Sequence, residues 1–427
     1  MKKTALIAMS GGVDSSVAAW LMKKNGYSCM GTTMRLYRNV DIGISQYHPC
    51  CSQKDIDDAA DVAFSLDIPY EVLDFTMDFR EKIIGRFVKT YEAGGTPNPC
   101  IDCNRIMKFD KLMDFADEKG LSYVVTGHYA RTSFDEKLGR YILRKAVDES
   151  KDQSYVLYTL TQKQLARVRF PLGEMRKSET REIAERLKLC NARKHDSQDI
   201  CFIPDGDYVN FIERYTGRQY TEGNFLDEAG NVIGTHHGVV RYTIGQRKGL
   251  GLSMKEPVYV CEKDMQANTV TVGTESSMLV RGMMIGDLNW ISVEGLSDRR
   301  YDGSLCELER ADVVSDNESI CERANVTRNS EGTHERADVV PDDETGYEDL
   351  GMIQQMETEI WKSMHVSVRT RYHGMESGAM LYQDDDDRSK VRMIFDEPQK
   401  RAAFGQAAVF YDGDIVVGGG TIESMIL

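Results

Sequence analysis

Residues suited to holding a phosphate group follow the first apolar stretch of the chain. Ala5–Met9 runs directly into Ser10-Gly11-Gly12-Val13-Asp14-Ser15-Ser16. Two adjacent glycines let the backbone turn tightly and bring its N–H groups close to an anion, while the serines add hydroxyl donors. The start of the following helix attracts the same anion through its unpaired N–H groups. The spacing therefore predicts a phosphate-binding loop between a strand and a helix, with an ordinary strand-turn-helix junction as the alternative.

The loop resembles the SGGxDS signature of the PP-loop ATP pyrophosphatases. These enzymes split ATP into AMP and pyrophosphate and thereby activate an oxygen atom. A Walker-type loop would instead need a Gly-Lys-Ser or Gly-Lys-Thr run after four spacer residues, which this chain lacks. The resemblance implies chemistry at the α-phosphate of ATP.

Cysteines in polar, turn-rich surroundings form a second set of reactive residues. Cys100 and Cys103 lie within the segment 96–104, and Cys201 precedes Phe202-Ile203-Pro204. Cys103 immediately precedes a helical pattern, so we expect the helix dipole to lower its thiol pKa. Ten cysteines are too few for a disulfide scaffold in a chain of 427 residues, which favours catalytic or metal-binding roles. Together with the ATP loop, two reactive cysteines, Cys103 and Cys201, predict that sulfur replaces the activated oxygen.

The elements that must position these groups alternate between strands and helices. The predicted strands are Ala5–Met9, Cys29–Met34, Tyr70–Leu73 and Tyr123–Thr126, with helical patterns between them. This alternation predicts the α/β class, with a parallel sheet and crossover helices. Ligands of such sheets bind at the carboxyl ends of the strands, where both the glycine loop and Gly127-His128-Tyr129 lie.

From about residue 218 the pattern changes to short strands broken by glycines, which indicates two smaller β-rich modules. We predict three domains: a PP-loop catalytic domain over 1–217, a central β-rich domain over 218–280 and a C-terminal β-barrel over 281–427. An acidic insertion at about 300–350 interrupts the barrel, with units starting at Glu309, Glu322 and Glu335, 13 residues apart. Residues 309–347 contain eleven acids and four arginines. We predict an exposed, largely disordered insertion, with an acidic partner-binding segment as the alternative.

The composition is that of a globular protein, with 41% hydrophobic and 28% charged residues and no apolar run long enough to span a membrane. The N-terminus enters a strand directly, so we expect no targeting segment and a cytoplasmic location. A net charge of −15 argues against a nucleic-acid partner. Two local segments argue for one, since 241–248 and 369–372 each combine cations with an aromatic residue that would stack on a base.

Taken in order, the motifs are similar to those of the tRNA-specific 2-thiouridylases, the bacterial family often called MnmA, along nearly the whole chain. The matching segments are 10–16, 96–104, 106–109, 126–129, 151–155, 200–203, 242–249 and 418–420. The resemblance implies that the C2 oxygen of the wobble uridine of a tRNA attacks the α-phosphate of ATP. An adenylated base and pyrophosphate result, and sulfur then replaces the oxygen.

The resemblance also assigns roles to residues. Cys201 would carry sulfur as a persulfide received from a sulfur-relay protein or a cysteine desulfurase. Cys103 would attack C2 first or attack the persulfide to free sulfide, and either order ends in a Cys103–Cys201 disulfide that must be reduced. ATP, with Mg²⁺, would contact Ala8, Met9, Ser10, Gly11, Gly12, Val13, Asp14, Ser15, Met34 and Gly127. A tRNA of the Lys, Glu or Gln type would contact Asn98, Pro99, Cys100, His128, Lys151, Asp152, Gln153, Arg371, Tyr372 and Gln406.

One position departs from the family pattern. Much of the family has an aspartate, proposed as a general acid/base, where this chain has Cys100, and Asp102 is the nearby residue that would substitute for it. Cys100, Cys103 and Cys201 would also suffice for an iron–sulfur cluster with one open iron, an alternative to the persulfide route. Zinc is less favoured because no further ligand pair lies near in sequence.

Two other classes of protein remain open. A different PP-loop tRNA-modifying ligase would keep Ser10–Ser16 but would have no use for both Cys103 and Cys201. A tRNA-binding protein without activity would keep Arg371 and Tyr372 but would not need Asp14.

Overall fold

The computed structural model describes residues 3–38, 51–196, 200–296 and 363–427. The repeat units at Glu309, Glu322 and Glu335, and with them the predicted insertion, lie outside the described residues. Within the described ranges no helix is long and apolar enough to cross a membrane.

The chain folds into three sheets. Its strands are β1 (Thr4–Ala8), β2 (Ser28–Arg35), β3 (Tyr70–Asp74), β4 (Tyr123–Val125), β5 (Arg131–Asp135), β6 (Arg140–Arg144), β7 (Val168–Arg169), β8 (Gly223–Leu226), β9 (Val232–His236), β10 (Tyr259–Asp264), β11 (Thr269–Gly273), β12 (Leu279–Trp290), β13 (Ser363–Arg369), β14 (Ser377–Gln383), β15 (Val391–Lys400), β16 (Ala407–Asp412) and β17 (Ile415–Ile426).

The α-helices belong mostly to the first half of the chain. They are α1 (Val13–Lys24), α2 (Cys51–Ser65), α3 (Thr76–Phe79), α4 (Gly85–Glu92), α5 (Pro99–Asp102), α6 (Leu112–Glu118), α7 (Gln162–Arg167), α8 (Lys177–Arg186) and α9 (Tyr208–Thr216). A π-helical stretch, Arg80–Ile84, joins α3 to α4, and a second, Cys103–Lys111, joins α5 to α6. Each trio therefore forms one continuous helix of changing pitch.

The first sheet has the order β3-β2-β1-β4-β7, and its neighbours all pair in parallel. This confirms the predicted α/β class. Successive strands are added on one side of β1 up to β3, and β4 then returns to the other side. The carboxyl ends of β1 and β4 therefore flank a topological switch point, the place where such sheets bind ligands.

Alternating residues of β1 face two different cores, as the two-residue period of a strand requires. Ala5 and Ile7 pack with α1 and α2, whereas Leu6 packs with residues of α6 and of the π-helical stretch Cys103–Lys111. The Leu6 core also contains Val409 and Tyr411 of β16. The parallel sheet and the C-terminal sheet thus share one hydrophobic core.

The C-terminal sheet closes into a six-stranded barrel in the order β12-β15-β14-β13-β16-β17, with β17 paired back to β12. In the sequence β12 precedes the predicted insertion and β13 follows it. One strand before the insertion and five strands after it therefore form a single barrel. The hairpin β5–β6 extends this sheet through pairing of β6 with β17. That hairpin lies within the predicted first domain, so the barrel sheet draws strands from both ends of the chain.

The central module is a sheet in the order β10-β11-β8-β9. Tyr242 packs edge-on against Phe225 and is 5% exposed. The expectation that an aromatic residue of segment 241–248 stacks on a base is therefore wrong, because this ring is used in the module's own core.

Candidate nucleotide and sulfur-transfer site

The glycine loop after β1 is closed by its own serines. The Ser10 N–H lies 3.1 Å from Ser15 Oγ, and the hydroxyls of Ser15 and Ser16 each lie 3.0 Å from the Gly12 carbonyl. Gly11 has a left-handed backbone with φ of +72°, which glycine adopts without strain. Helix α1 begins at Val13 directly behind this turn, so its N-terminus faces the loop as predicted.

Two residues distant in sequence form hydrogen bonds to the backbone of the glycine loop. Lys194 Nζ and Asn191 Nδ2 both donate to the Gly11 carbonyl at 3.0 Å. Lys194 also pairs with Asp55 and Asp58 of α2. Since its carbonyl is engaged on this side, the peptide at Gly11 is fixed in one orientation.

Asp14 sits within a charged network on the other side of α1. Both of its carboxylate oxygens lie 2.7 Å from Lys177 Nζ, and the Tyr129 hydroxyl donates to it at 3.0 Å. Lys177 also contacts Asp196 at 2.7 Å, and Lys151 reaches Asp196 at 2.9 Å. Burial opposes ionisation of Asp196, but the hydrogen bonds from Lys177 and Lys151 hold the pKa of its carboxyl below the usual value. Cations are thus gathered beside the loop.

The structure brings the other nucleotide candidates to the same edge. Ala8 ends β1, Met9 is buried, and Met34 lies at the end of the neighbouring β2. Gly127 follows β4, and a β-carbon there would lie 2.7 Å from the Ser15 nitrogen. A side chain at position 127 would therefore push against the start of α1.

The cysteine segment forms the start of a helix. Asn98 is the N-cap, and its side-chain oxygen accepts the Cys100 N–H at 3.1 Å. Cys103 is the first residue of the π-helical stretch and is buried. The expectation that the dipole lowers its pKa is wrong: burial raises the pKa of Cys103 to about 11, with only Lys108 acting in the opposite direction.

Cys201 lies close to both cysteines of this helix. Its thiol interacts electrostatically with Cys103, Cys100 and the Lys108 ammonium, although 98 residues separate it from Cys103. Cys100 and Cys201 are exposed residues, yet the protein atoms around their sulfurs limit hydration. That desolvation raises the pKa of each thiol. All three cysteines are free thiols, so the predicted disulfide is not formed in this state.

An iron–sulfur cluster does not fit this arrangement. Among the described residues no three His, Cys, Asp or Glu side chains are grouped so that they could hold a metal ion. Cys100, Cys103 and Cys201 are neighbours, but within the described ranges they are not grouped as a metal-ligand set.

Asp102, the residue expected to substitute for the family aspartate, is buried within an ion-pair network. Its carboxylate pairs with Arg86 at 3.1 Å and with Arg105 at 3.7 Å. These groups and Asp287 of β12 line a cavity of about 290 Å³ between the first sheet's helices and the barrel. Asp102 is thus used in an ion-pair network at a domain boundary.

Some predicted tRNA contacts are buried in the protein. Asp152 is 7% exposed and accepts hydrogen bonds from Ala146, Ser154 and Arg369. His128 is 8% exposed. Burial, followed by the nearby Lys108, holds the pKa of His128 well below its usual value, so its ring is neutral. In this structure neither side chain is available for contact with RNA.

Other predicted tRNA contacts surround the cysteines. The Gln153 side-chain oxygen accepts the Tyr129 N–H at 3.0 Å, and Gln153 also hydrogen-bonds to Tyr372. Tyr372 also lies close enough to Cys100 for the two groups to interact electrostatically. The barrel thus contributes a ring to the cysteine site.

The remaining candidates lie at the junctions of the domains. Arg371 is exposed and donates to the Arg401 carbonyl at 3.1 Å. Gln406 donates to the Thr96 carbonyl at 2.6 Å, which ties the barrel to the segment that carries Asn98 and Pro99.

Residues from other elements approach the glycine loop, and most of them carry no signal in the sequence. Lys177, Lys194, Asn191, Tyr129 and Asp196 all contact it or Asp14 directly or through one partner. Tyr129 was visible as part of the turn after β4. The others follow no local pattern that marks them as partners of a loop more than 150 residues away.

The fold and site define a class: a nucleotide-binding α/β domain with a PP-loop and three neighbouring cysteines, joined to a β-rich module and a barrel. Residues 3–205 match the tRNA methyl transferase HUP domain, 209–274 the tRNA methyl transferase PRC-barrel domain and 347–422 the aminomethyltransferase beta-barrel domain. The chain belongs to the tRNA-specific 2-thiouridylase family, MnmA. The predicted family and the predicted enzyme class, a sulfurtransferase, are confirmed.

The relatives match over nearly their full length. The tRNA-specific 2-thiouridylase MnmA of Acetivibrio thermocellus is 37% identical over 423 residues, 99% of each chain. MnmA 2 of a Thermoanaerobacter species is 40% identical over 418 residues, covering 98% of this chain and 97% of that one. Among solved structures, a 4-thiouridine synthetase–RNA complex with bound ATP covers 50% of each chain at 18% identity and a TM-score of 0.33, a likeness too weak to carry an argument.

Proposed function

We propose that this chain converts the wobble uridine of a tRNA to 2-thiouridine, with ATP consumed to AMP and pyrophosphate. The observation that supports this most directly is the proximity of Cys103 and Cys201, from distant parts of the chain, within the domain that carries the PP-loop. The nucleotide loop would activate an oxygen, and the paired thiols would bring the sulfur that displaces it. Lys, Glu and Gln tRNAs, whose wobble base is a uridine, are the proposed substrates.

The first half-reaction is adenylation at the switch point of the sheet. The N–H groups of the Gly11-Gly12 turn and the N-terminus of α1 would bind the phosphates. Mg²⁺ suits this site because it binds proteins through one or two carboxylates together with substrate phosphates, and Asp14 offers the carboxylate. The ion would neutralise phosphate charge. Lys177, now paired with Asp14, would help to hold the departing pyrophosphate.

The second half-reaction transfers sulfur. Cys201, an exposed residue, would receive a persulfide from a sulfur-relay protein or a cysteine desulfurase. In one order Cys103 attacks the Cys201 sulfur, the sulfur–sulfur bond of the persulfide breaks, and hydrosulfide leaves and displaces AMP from C2. In the other order Cys103 attacks C2 first and expels AMP, and the terminal sulfur of the persulfide then displaces Cys103 from C2. The freed Cys103 thiolate attacks the Cys201 sulfur, and the sulfur–sulfur bond breaks to leave sulfur on the base. Both orders leave a Cys103–Cys201 disulfide, which two electrons from a thiol reductant restore.

We place the tRNA over Asn98, Gln153, Arg371, Tyr372 and Gln406, which lie around the cysteines or at the domain junctions, and over Lys151 in the charged network beside the glycine loop. His128 and Asp152 would support this surface from beneath. Free thiols at the described cysteines suit a reducing compartment, and we propose the cytoplasm.

The test incubates the full chain with ATP, Mg²⁺, a persulfide donor and an unmodified tRNA that carries a wobble uridine. We expect 2-thiouridine and AMP in equal amounts. Cys201→Ala and Cys103→Ala should abolish 2-thiouridine, whereas Cys190→Ala, an exposed thiol beside Asp58, should retain it. Mass spectrometry of the nucleoside separates thiolation from methylation, the reaction that two of the domain names mention.

Each negative outcome of this assay points to a different conclusion. AMP without 2-thiouridine would indicate a different PP-loop reaction, such as that of a ligase. Binding of tRNA with neither product would indicate a protein without this activity. Full activity in both cysteine variants would overturn the sulfur-transfer assignment.

A further inference from the structure

Lys108 is a half-buried cation among the cysteines. In the part of the chain that the structure describes, no carboxylate lies within ion-pair distance of Lys108. The other lysines beside the site, Lys151, Lys177 and Lys194, each pair with an aspartate, as does Lys111 on the same helix. An ammonium withdrawn from water needs a compensating partner. The groups near Lys108 are Cys100, Cys103, Cys201 and His128.

The π-helical pitch over Cys103–Lys111 explains how Lys108 reaches this position. In an α-helix, residues five apart point about 140° apart. The i to i+5 hydrogen bonding of a π-helix instead places them on the same face, as residues four apart are in an α-helix. Cys103 and Lys108 are five residues apart within this stretch. The altered pitch therefore turns the ammonium toward the face that carries Cys103.

His128 fixes the lysine from the opposite side. Lys108 Nζ lies 3.4 Å from His128 Nε2, and His128 Nδ1 lies 2.7 Å from Thr126 Oγ1. With the ring neutral, Nε2 accepts from the ammonium and Nδ1–H donates to the threonine, so one tautomer satisfies both contacts. A charged histidine would repel the lysine. The neutral ring thus holds the ammonium without cancelling its charge.

We infer that Lys108 is the counter-ion of the reacting sulfur, stabilising in turn the thiolate of Cys103 and the hydrosulfide released from Cys201. This inference rests on the proposed function. In the step concerned, the Cys103 thiolate attacks the Cys201 sulfur, the persulfide bond breaks, and its electron pair leaves with hydrosulfide. Negative charge passes from one sulfur to another, and Lys108 is the neighbouring cation throughout. Among the described residues, the other charged or titratable groups that interact with these sulfurs are Asp102 and Tyr372, and neither supplies positive charge.

The test measures alkylation of Cys103 and Cys201 by iodoacetamide as a function of pH, in the full chain without tRNA or ATP. Lys108→Gln should shift the alkylation profile of Cys103 upward by about one pH unit, a roughly tenfold slower rate at neutral pH. Lys108→Arg should keep the wild-type profile, and Lys108→Met is a second charge-free variant. Lys111→Gln is the matched control, because Lys111 lies on the same helix and pairs with Asp78.

Thiolation assays complete the test. We expect kcat to fall at least tenfold in Lys108→Gln and Lys108→Met with little change in KM for ATP, and to recover largely in Lys108→Arg. An unmoved alkylation profile in the charge-free variants would overturn the inference, whatever their activity. A shifted profile in a chain that does not thiolate tRNA would leave the counter-ion role standing and overturn only the proposed function.

Discussion

At the scale of single residues, the orientation of the Gly11 peptide decides whether the loop can bind phosphate. Its φ of +72° is left-handed, and a β-carbon at this position would overlap the Asp55 carbonyl oxygen. Gly26 has a similar φ of +80°, but a β-carbon there would meet no atom within 4 Å. Alanine at position 11 or 26 would therefore meet the same backbone strain, and only alanine at position 11 would also meet a steric clash.

We predict that Gly11→Ala weakens ATP binding at least tenfold and lowers the free energy of unfolding by about 2–4 kcal/mol, because backbone strain and a backbone clash add. Gly26→Ala should cost only about 1 kcal/mol, the strain alone, and should leave ATP binding unchanged. Calorimetric titration with ATP and urea unfolding measure both quantities. Equal losses in the two variants would show that crowding against Asp55 is unimportant.

The glycine loop was predictable from the sequence, whereas its distant partners were not. The strand, the paired glycines and the helix start stand in one contiguous run, so the loop was predictable from local rules. The contacts of Lys177 with Asp14 and of Lys194 with Gly11 span 163 and 183 residues. Nothing local marks those lysines, because their role is set by how α8 and its following turn pack against α1.

At the scale of elements, the helix from Pro99 to Glu118 organises the sulfur chemistry. Its existence was predictable from helical spacing, but it begins at Pro99, before Cys103 rather than after it, and its pitch changes at Cys103. A 3.6-residue pattern does not reveal a π-helical stretch, so the relation of Cys103 to Lys108 was hidden from the sequence. The earlier start also placed Cys103 inside the helix, where burial outweighs the dipole.

We predict that the N-cap of this helix controls the cysteine site. Asn98→Ala removes the acceptor for the Cys100 N–H and should cost about 1 kcal/mol. Asn98→Asp keeps an acceptor and should largely retain stability. Hydrogen exchange at the amides of Cys100 and Ile101 should accelerate in the alanine variant only. Unchanged exchange in Asn98→Ala would show that the cap does not hold the helix start.

At the scale of the whole molecule, much of the acidic charge is concentrated in one stretch of the sequence. Residues 309–347 contribute −7 of the net charge of −15. The domain models leave 275–346 unmatched, although β12 lies in that interval and closes the barrel. The barrel therefore depends on the start of this interval, and the acidic repeats fall outside every described strand.

We predict that deletion of 309–347 leaves 2-thiouridine formation within about twofold of the full chain and changes stability little, because the described sheets pair without any residue of this segment. The pairing of β12 with β15 and β17 uses residues up to Trp290, all of which the deletion retains. The matched control for barrel damage is Ile285→Ala, a fully buried residue of β12, which should cost about 2–5 kcal/mol. Thiolation assays and thermal unfolding of both variants make the comparison. Loss of activity or of tRNA binding on deletion, with the barrel intact, would show instead that the acidic segment takes part in substrate or partner binding.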